Sequence, residues 1–416
     1  MKTTRRLPQR IILFSCLFCL TQPLLNYGAD EAKEGTEVIF KTAVLEDGIS
    51  TFSFSPDGQK IVTEGRGYTV QIWDADSGKE LHNLGRCGGT LWGVRFLPDG
   101  KKIMTAGGWN DRNDRAVRIW DVETGKELQQ LGTEKERERF SLLHFSPDGK
   151  KAATISKSIF SDTAQIWDVE SGRKLHAFEG RFYSDTVYYS NFFSPDGKKF
   201  VSSGRNEIII WDVESGKELH RLAGHVGIFS DFFSPDGKKM VAGSEIETNR
   251  FANRILDAES GRELLMLEGW LAKFSPDGKT IVTRSEDGTL GIRDAESGAE
   301  LQKLEGDTPP VWHVTFSPDG RNIVARCEGG TICIWDVESG KRLQKLEGAY
   351  GVLSPDGKKF ISIISGKQGT VKIWDVESGK ELYQLEGHFA VPSPDGRRVA
   401  VKSEEGSSTL QIWTVK

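Results

Sequence analysis

The residues that could support catalysis in this 416-residue sequence are scattered and match no known catalytic spacing. The chain has no Gly-rich phosphate loop, no zinc-ligand spacing and no nucleophile elbow. Three histidines, His82, His176 and His220, each follow a Leu in closely similar stretches. Equivalent positions of a repeat lie on different structural units, so these imidazoles would be too far apart to share a metal ion. We therefore predict neither a metal site nor a cofactor.

Four other polar residues form the basis of an enzymatic hypothesis. Arg95, His144, Lys273 and His313 lie in short apolar stretches that precede a recurring turn, PDG. If those stretches are strands around a common centre, the side chains could converge on a small polar site. A hydrolase or a cofactor-dependent oxidoreductase would need carboxylates or histidines that converge outside the repeat pattern, and the sequence has only isolated ones. The sequence therefore favours a protein that is not an enzyme.

Two further clusters have ordinary structural explanations. Cys327 and Cys333 flank the turn EGGT, where a cross-strand disulfide could form, and the alternative is a pair of buried thiols. Asp111, Asn113 and Asp114 offer oxygen atoms of the kind that bind Ca²⁺. Two carboxylates in a charged loop are more often solvated, so we predict no calcium site there.

All of these residues are set in a repeat that fills the chain after residue 36. The turn PDG recurs nine times, at intervals of 37 to 49 residues. Pro presets φ, Asp bonds back to the backbone and Gly takes a positive φ, so each SPDG predicts a hairpin. The copy at residues 354–385 reads as strand, turn, strand, turn, strand. Because so few short strands cannot cover their own apolar side chains, neighbouring copies must pack together.

The third strand of six copies ends in Trp-Asp, namely Trp73-Asp74, Trp120-Asp121, Trp167-Asp168, Trp211-Asp212, Trp335-Asp336 and Trp374-Asp375. Together with the repeat period, these pairs make residues 37–416 resemble the WD-repeat β-propeller family. The resemblance implies an all-β domain of four-stranded blades around a channel, with one blade for each copy. The last copy stops after its third strand, and residues 37–45 have the composition of the missing fourth strand. We therefore predict a single nine-bladed ring closed by pairing of residues 37–45 with residues 410–414, the alternative being separate rings.

Two copies lack the Trp and carry Leu256 and Arg293 in its place. A buried guanidinium without a partner is costly. We therefore expect Arg293 to reach solvent or to pair with Glu286 or Asp287 in its own hairpin.

Comparison of the copies separates two faces of the predicted ring. The turns between the first and second strands and between the third and fourth strands have the same length in every copy. The other two connections, which strand alternation places on the opposite face, vary widely. They are longest in blades 2 to 5, at residues 107–115, 132–145, 156–163, 180–193 and 244–253. Variable loops on a rigid scaffold commonly carry binding sites. We predict a raised binding ledge on this face of blades 2 to 5.

The ledge contains large side chains that dominate many interfaces, which are Trp109, Arg112, Phe160, Phe182, Tyr183 and Phe251. The alternative is that they only fix their own loops. The resemblance also implies a ligand-binding position at the rim of the channel, occupied here by Trp92, Tyr189, Trp270 and Trp312. The alternative for these four residues is burial between adjacent blades.

The N-terminal segment has the layout of a secretory signal. Four cations in residues 1–10 precede a ten-residue apolar run, 11–20, which is too short to span a bilayer. We predict a signal peptide at 1–28, a linker at 29–36 and a periplasmic or secreted protein without a membrane span in the mature chain. An uncleaved anchor and a lipoprotein signal are the weaker alternatives.

Composition and charge exclude some partner classes. The formal net charge is -5, and Lys and Glu alternate without a basic stripe, so a nucleic-acid partner is not expected. The leading hypothesis is an exported, non-catalytic, monomeric propeller that binds a protein, a peptide or a surface polymer on the ledge and channel rim. The alternatives are a propeller enzyme with a site at the channel mouth and a purely structural surface protein.

Overall fold

The computed structural model describes the chain in segments. They are residues 39–46, 48–87, 93–106, 117–131, 139–157, 162–180, 192–203, 207–223, 233–247, 250–269, 271–285, 287–305, 311–348, 350–364, 369–403 and 409–415. Every regular element in these segments is a β-strand, and none of them contains a helix long and apolar enough to cross a membrane.

The strands form nine antiparallel sheets, which we call blades 1 to 9. Blade 1 contains β2 (Thr51–Phe54), β3 (Lys60–Glu64), β4 (Thr69–Asp74) and β5 (Glu80–Arg86). Blade 2 contains β6 (Gly93–Phe96), β7 (Lys102–Ala106), β8 (Val117–Asp121) and β9 (Glu127–Leu131). Blade 3 contains β10 (Arg139–Phe145), β11 (Lys151–Lys157), β12 (Asp162–Asp168) and β13 (Lys174–Gly180).

Blades 4 and 5 have three strands each in the described part of the chain, and a single bridge stands in place of the first strand, Phe193 to Phe200 and Phe233 to Met240. Blade 4 contains β14 (Lys199–Ser203), β15 (Glu207–Asp212) and β16 (Glu218–Ala223). Blade 5 contains β17 (Lys239–Glu247), β18 (Arg250–Asp257) and β19 (Glu263–Glu268). Blade 6 contains β20 (Leu271–Phe274), β21 (Thr280–Arg284), β22 (Leu290–Asp294) and β23 (Glu300–Lys303).

The last three blades complete the ring. Blade 7 contains β24 (Val311–Phe316), β25 (Asn322–Cys327), β26 (Thr331–Asp336) and β27 (Arg342–Glu347). Blade 8 contains β28 (Tyr350–Leu353), β29 (Lys359–Ile364), β30 (Thr370–Asp375) and β31 (Glu381–Glu386). Blade 9 contains β32 (Phe389–Pro392), β33 (Arg398–Lys402), β34 (Thr409–Val415) and, as its outer strand, β1 (Ile39–Glu46).

The ring closes as the sequence predicts. β1 pairs antiparallel with β34, from Ile39 opposite Val415 to Glu46 opposite Thr409. Leu45 and Ile412 of blade 9 then pack in one core cluster with Phe54 and Ile61 of blade 1. The prediction of a nine-bladed propeller closed by its N-terminal strand is confirmed.

The hydrophobic core lies between neighbouring blades and not inside each one. Clusters of buried side chains join blade 1 to blade 2, blade 2 to blade 3, and so on around the ring. Trp335, which is fully buried, belongs to the cluster between blades 6 and 7. A single blade could not bury these residues alone, which explains why the sequence is repetitive throughout.

The side of the ring formed by the constant turns, which we call the turn face, is held by links between adjacent blades. The second-strand Lys of one blade reaches the acidic turn of the next, as in Lys151 to Glu214 (3.7 Å) and Lys199 to Glu259 (2.8 Å). The outer-strand residue of one blade bonds the same turn of the next blade, as in His82 Nε2 to the Glu123 carbonyl (2.8 Å). His176 and His220 do likewise with Glu214 and Glu259, so each of the three repeated histidines joins two blades.

The link at the closing seam, between blades 9 and 1, is stronger. Arg398 is buried, and its guanidinium donates to Asp76 Oδ1 (2.5 and 2.9 Å), Asp395 Oδ2 (3.0 Å) and the Gly58 carbonyl (3.0 Å). Gly58 has a φ of +72°, and a Cβ there would lie 2.7 Å from Asp395 Cγ. A side chain at position 58 would therefore displace the carboxylate that holds Arg398.

The third-strand Trp of most blades is fixed by a hydrogen bond of its indole N–H, and in blade 9 the buried Nε1 of Trp413 meets no acceptor among the described residues. In five blades the indole Nε1 donates to a Thr or Ser hydroxyl at 2.8 to 3.0 Å, the donors being Trp73, Trp120, Trp167, Trp211 and Trp374. Blade 7 has Ala325 in place of the hydroxyl, and Trp335 donates to the Glu305 carbonyl instead (2.9 Å). The Trp-Asp carboxylates cap the next turn: the Ser171 hydroxyl and amide donate to Asp168, which holds the pKa of that carboxyl below its usual value.

Blades 5 and 6 lack the third-strand Trp and differ in what takes the place of its hydrogen bond to the second strand. In blade 5, Leu256 is buried and Ala242 stands where other blades carry the hydroxyl, so both halves of the hydrogen bond are absent. In blade 6, Arg293 Nε donates to Thr283 (3.3 Å) and its Nη2 pairs with Glu300 (3.2 Å), with 25% of the side chain exposed. Arg293 therefore reaches solvent, which is one of the two expected outcomes. Of the two partners named in the other outcome, Asp287 bonds Thr289, and Glu286 lies outside the described residues.

Candidate binding face

Most of the residues predicted to bind a partner lie outside the described part of the chain. They are Trp92, Trp109, Arg112, Phe160, Phe182, Tyr183, Tyr189 and Trp270. Trp312 lies in β24, where its backbone alone is described, and Phe251 is half-buried in β18. The binding roles of all ten residues remain predictions.

The described parts of the ledge show strands where the sequence suggested loops. In blade 5, β17 and β18 continue to the pair Glu247 and Arg250, so residues 244–247 and 250–253 are strand. In blade 3, β11 and β12 continue to the pair Lys157 and Asp162, so residues 156–157 and 162–163 are strand. The prediction of loops was therefore wrong for these residues. The opposite side of the ring, which we call the loop face, is extended there by regular hairpins.

The innermost strands alternate between core and channel. In β2, Phe52 and Phe54 are buried and Ser53 is half-buried, as expected for a strand with one face toward the channel. In the other described first strands, the position of Ser53 is occupied by Arg95, His144, Phe192, Lys273, Thr315, Val352 and Val391. Arg95, His144 and Lys273 therefore share one repeat position, whereas His313 lies two residues before it in β24. Convergence of the four on one polar site stays a prediction.

His144 is a buried imidazole whose Nε2 has no hydrogen-bond partner among the described residues. Burial, with a smaller contribution from the Arg95 charge, lowers the pKa of His144 to about 3, so its imidazole is neutral at physiological pH. The ring makes an edge contact with Phe192, with centroids 4.8 Å apart, and among the described residues no group accepts from or donates to its Nε2.

The His144 pKa predicts a pH-dependent stability. As pH falls below about 6.5, the histidine takes up a proton in the unfolded chain but not in the folded protein. The free energy of unfolding therefore decreases as the solution becomes more acidic. Between about pH 7 and about pH 5 the loss is about 2 kcal/mol, and the variant His144→Phe, which copies Phe192 of blade 4, should lack it. Denaturant unfolding of both proteins at the two pH values measures this difference. Equal losses would show that the imidazole is protonated in the folded protein.

A second set of polar side chains lies at the loop-face end of the second strands, and the sequence analysis missed it. These residues stand six positions after the Gly of PDG. In two blades the side chain at this position contacts the next blade at or beside its first strand. Arg326 of blade 7 lies 3.9 Å from the ring centroid of Tyr350 in blade 8, and Lys402 of blade 9 donates to the Ser50 carbonyl of blade 1 (2.9 Å). Arg284 holds the same position in blade 6. Alignment of the nine copies at this position would have revealed these cations, because the other copies have small, apolar or acidic residues there.

The two cysteines of blade 7 are buried free thiols, the alternative that the sequence left open to a disulfide. Cys327 lies opposite Thr331 and Cys333 opposite Ala325, so the pair is diagonal across the hairpin. The Cys327 thiol hydrogen-bonds to Cys333 and, with the nearby Arg342 and Lys345, lowers the pKa of Cys333 to about 7. Across the described segments, no group of three or more His, Cys, Asp or Glu side chains could hold a metal ion.

A closed ring of nine antiparallel blades defines a β-propeller. The family model described as WD domain, G-beta repeat, matches residues 40–74, 78–121 and 298–336. Three stretches of the chain are therefore similar to the WD repeat, and the fold that contains them is a β-propeller. Propellers of this family generally bind protein partners and are generally not enzymes. Among curated proteins, none matches the sequence significantly.

Two solved structures show the same fold at low identity. One is described as the crystal structure of the eukaryotic initiation factor, with 15% identity over 84% of this chain and 90% of that chain and a TM-score of 0.60. The other is the C-terminal WD40 domain of Sif2, with 15% identity over 92% of this chain and 99% of that chain and a TM-score of 0.57. At this identity the similarity concerns the fold alone.

Proposed function

We propose that this propeller is an exported, non-catalytic scaffold that binds a protein or peptide partner with its loop face and channel rim. The proposal rests on a difference in hydrogen bonding and ion pairing between the turn face and the loop face. On the turn face, polar side chains such as Lys199, His220 and Arg398 are bonded to the next blade. On the loop face, Arg284 and Arg326 have no ion pair or hydrogen bond within the described segments. Polar groups that the fold itself does not use are available to a partner.

Export is the part of the proposal that rests on the sequence. The basic residues of 1–10, the apolar run 11–20 and the polar linker 29–36 support secretion through a signal peptide. Cell fractionation with mass measurement of the mature N-terminus tests this part. A protein that stays in the cytoplasm with residues 1–28 intact would contradict it.

The partner is tested by affinity capture from envelope extract with two matched variants. Trp109→Ala with Phe182→Ala removes two aromatic side chains of the ledge, and Lys198→Ala with Lys358→Ala removes two exposed cations of the turn face. We expect a specific partner to be retained by the wild type and the turn-face variant and lost by the ledge variant. Retention by all three proteins would favour a structural role or a different binding surface. A captured polysaccharide in place of a protein would favour the surface-polymer alternative.

A further inference from the structure

Arg284 and Arg326 differ from three other half-buried arginines of this protein. Arg118, Arg254 and Arg293 each pair with a Glu of the same blade. In the part of the chain that the structure describes, Arg284 and Arg326 pair with no carboxylate, and no acceptor meets the enclosed Nε of Arg284. A half-buried charge without a counter-ion weakens folding, so its presence needs another explanation.

The two arginines belong to one stretch of the channel rim. Arg326 lies directly opposite His313 in the hairpin of blade 7, and its guanidinium stacks on Tyr350 of blade 8. Arg284 holds the same repeat position in blade 6, and the next blade, blade 7, carries His313 in its first strand. Lys273 lies one blade earlier in β20 and adds a further positive charge. Stacking on an aromatic ring holds a guanidinium in place and leaves its N–H edge free for hydrogen bonds.

Carboxylates at the ends of the outer strands lie farther from the channel on this face than the two arginines. Glu268, Glu347 and Glu386 end the outer strands of blades 5, 7 and 8, and Glu305 follows the outer strand of blade 6; all four are exposed. Cations near the centre and carboxylates at the circumference direct an anionic group toward the channel. A carboxylate fits the planar fork of a guanidinium with two parallel hydrogen bonds.

We propose that Arg284 and Arg326 bind the side-chain carboxylates of an acidic, extended peptide segment of the partner at the rim of blades 6 to 8. The proposal deepens the proposed function, because it gives the chemical character of the protein that the loop face binds. A protein segment is favoured over other anions because propellers of this family generally bind protein partners.

Fluorescence anisotropy with a labelled decapeptide of alternating Glu and Gly tests the proposal, with a Gln and Gly decapeptide as the uncharged control. Arg284→Gln with Arg326→Gln should weaken binding of the Glu peptide by roughly tenfold or more, because two charge-assisted contacts are lost. Arg321→Gln with Lys358→Gln makes the same charge change on the turn face of blades 7 and 8 and should leave binding unchanged. Equal binding of both peptides, or equal loss in both variants, would overturn the proposal.

Three further measurements separate the alternatives. The melting temperature of the Arg284→Gln, Arg326→Gln variant should not fall, and a fall would show that the arginines are structural. Displacement of the Glu peptide by inorganic phosphate, but not by chloride at equal ionic strength, would identify a simple phosphate site and overturn the peptide proposal. Tighter binding of polygalacturonate than of the Glu peptide would overturn it in favour of an acidic polysaccharide.

The outcome can be distinguished from that of the proposed function. If the ledge variant loses the captured partner while the double arginine variant keeps it, the proposed function stands and this inference fails. If the Glu peptide binds through the two arginines but no partner is captured, the rim site stands and the scaffold function fails.

Discussion

Replacement of Trp335 by alanine is expected to lower the free energy of unfolding by about 3–5 kcal/mol, which is typical for removing a large aromatic side chain from a core. Trp335 is fully buried between blades 6 and 7, where it packs with Leu304, Val314 and Phe316. The substitution also leaves the Glu305 carbonyl without its 2.9 Å donor. Denaturant unfolding followed by intrinsic fluorescence of the remaining tryptophans measures the change.

Arg293→Ala is the matched control, since Arg293 holds the same repeat position in blade 6. Its side chain is 25% exposed and pairs with Glu300, which is itself 36% exposed. A partly exposed ion pair contributes about 1 kcal/mol or less, so this variant should be much more stable than Trp335→Ala. Similar unfolding midpoints for the two variants would contradict the assignment of Trp335 to a core between blades.

Replacement of Arg398 by alanine should cost about 3–5 kcal/mol, because breaking a buried ion pair leaves the buried Asp395 carboxylate without its Arg398 partner. Only 5% of the Arg398 side chain and 10% of the Asp395 side chain are exposed. The guanidinium also reaches Asp76 and the Gly58 carbonyl of blade 1, so its loss opens the seam where the first and last blades meet. Thermal unfolding and amide hydrogen exchange in β1 and β34 report the effect.

Lys199→Ala provides the comparison for the seam. Lys199 holds the same repeat position in blade 4 and reaches the next blade through Glu259, but 84% of the Glu259 side chain is exposed. A pair of this kind contributes about 0–1 kcal/mol. If both variants lose equal stability, the seam between blades 9 and 1 is no different from the other blade interfaces. Faster exchange in β1 for Arg398→Ala alone would locate the loss at the closure.

The fold could be predicted because each copy contains the same short motifs that specify its turns and strands. SPDG specifies a hairpin, Trp-Asp specifies a packed third strand with a capped turn, and strand alternation then assigns every turn to one of two faces. The incomplete ninth copy and the strand-like residues 37–45 predicted the closing pair, since a missing strand must be supplied from elsewhere in the chain. These inferences need only sequence order and period.

The contacts between blades were harder to predict, because they join positions about 40 residues apart through single side chains. The partner of Arg293 was assigned to the nearest hairpin, whereas the structure places Glu300 beside it across the bulged outer strand. The rim cations were missed because Arg284 and Arg326 lie near the ends of second strands that otherwise match the repeat pattern. Residues 156–163 and 244–253 were read as loops because their polar residues hide the alternation of β11, β12, β17 and β18.

The closing strand also sets the orientation of the molecule. β1 runs from Ile39, paired with Val415 beside the constant turns, to Glu46 on the opposite side of the ring. The chain before Ile39 therefore joins the propeller at the turn face. Any attachment made through residues 1–38 would hold that face inward and present Arg284, Arg326 and the extended hairpins of blades 3 and 5 outward. The point of attachment and the proposed partner-binding surface would then lie on opposite faces of the ring, so one would not obstruct the other.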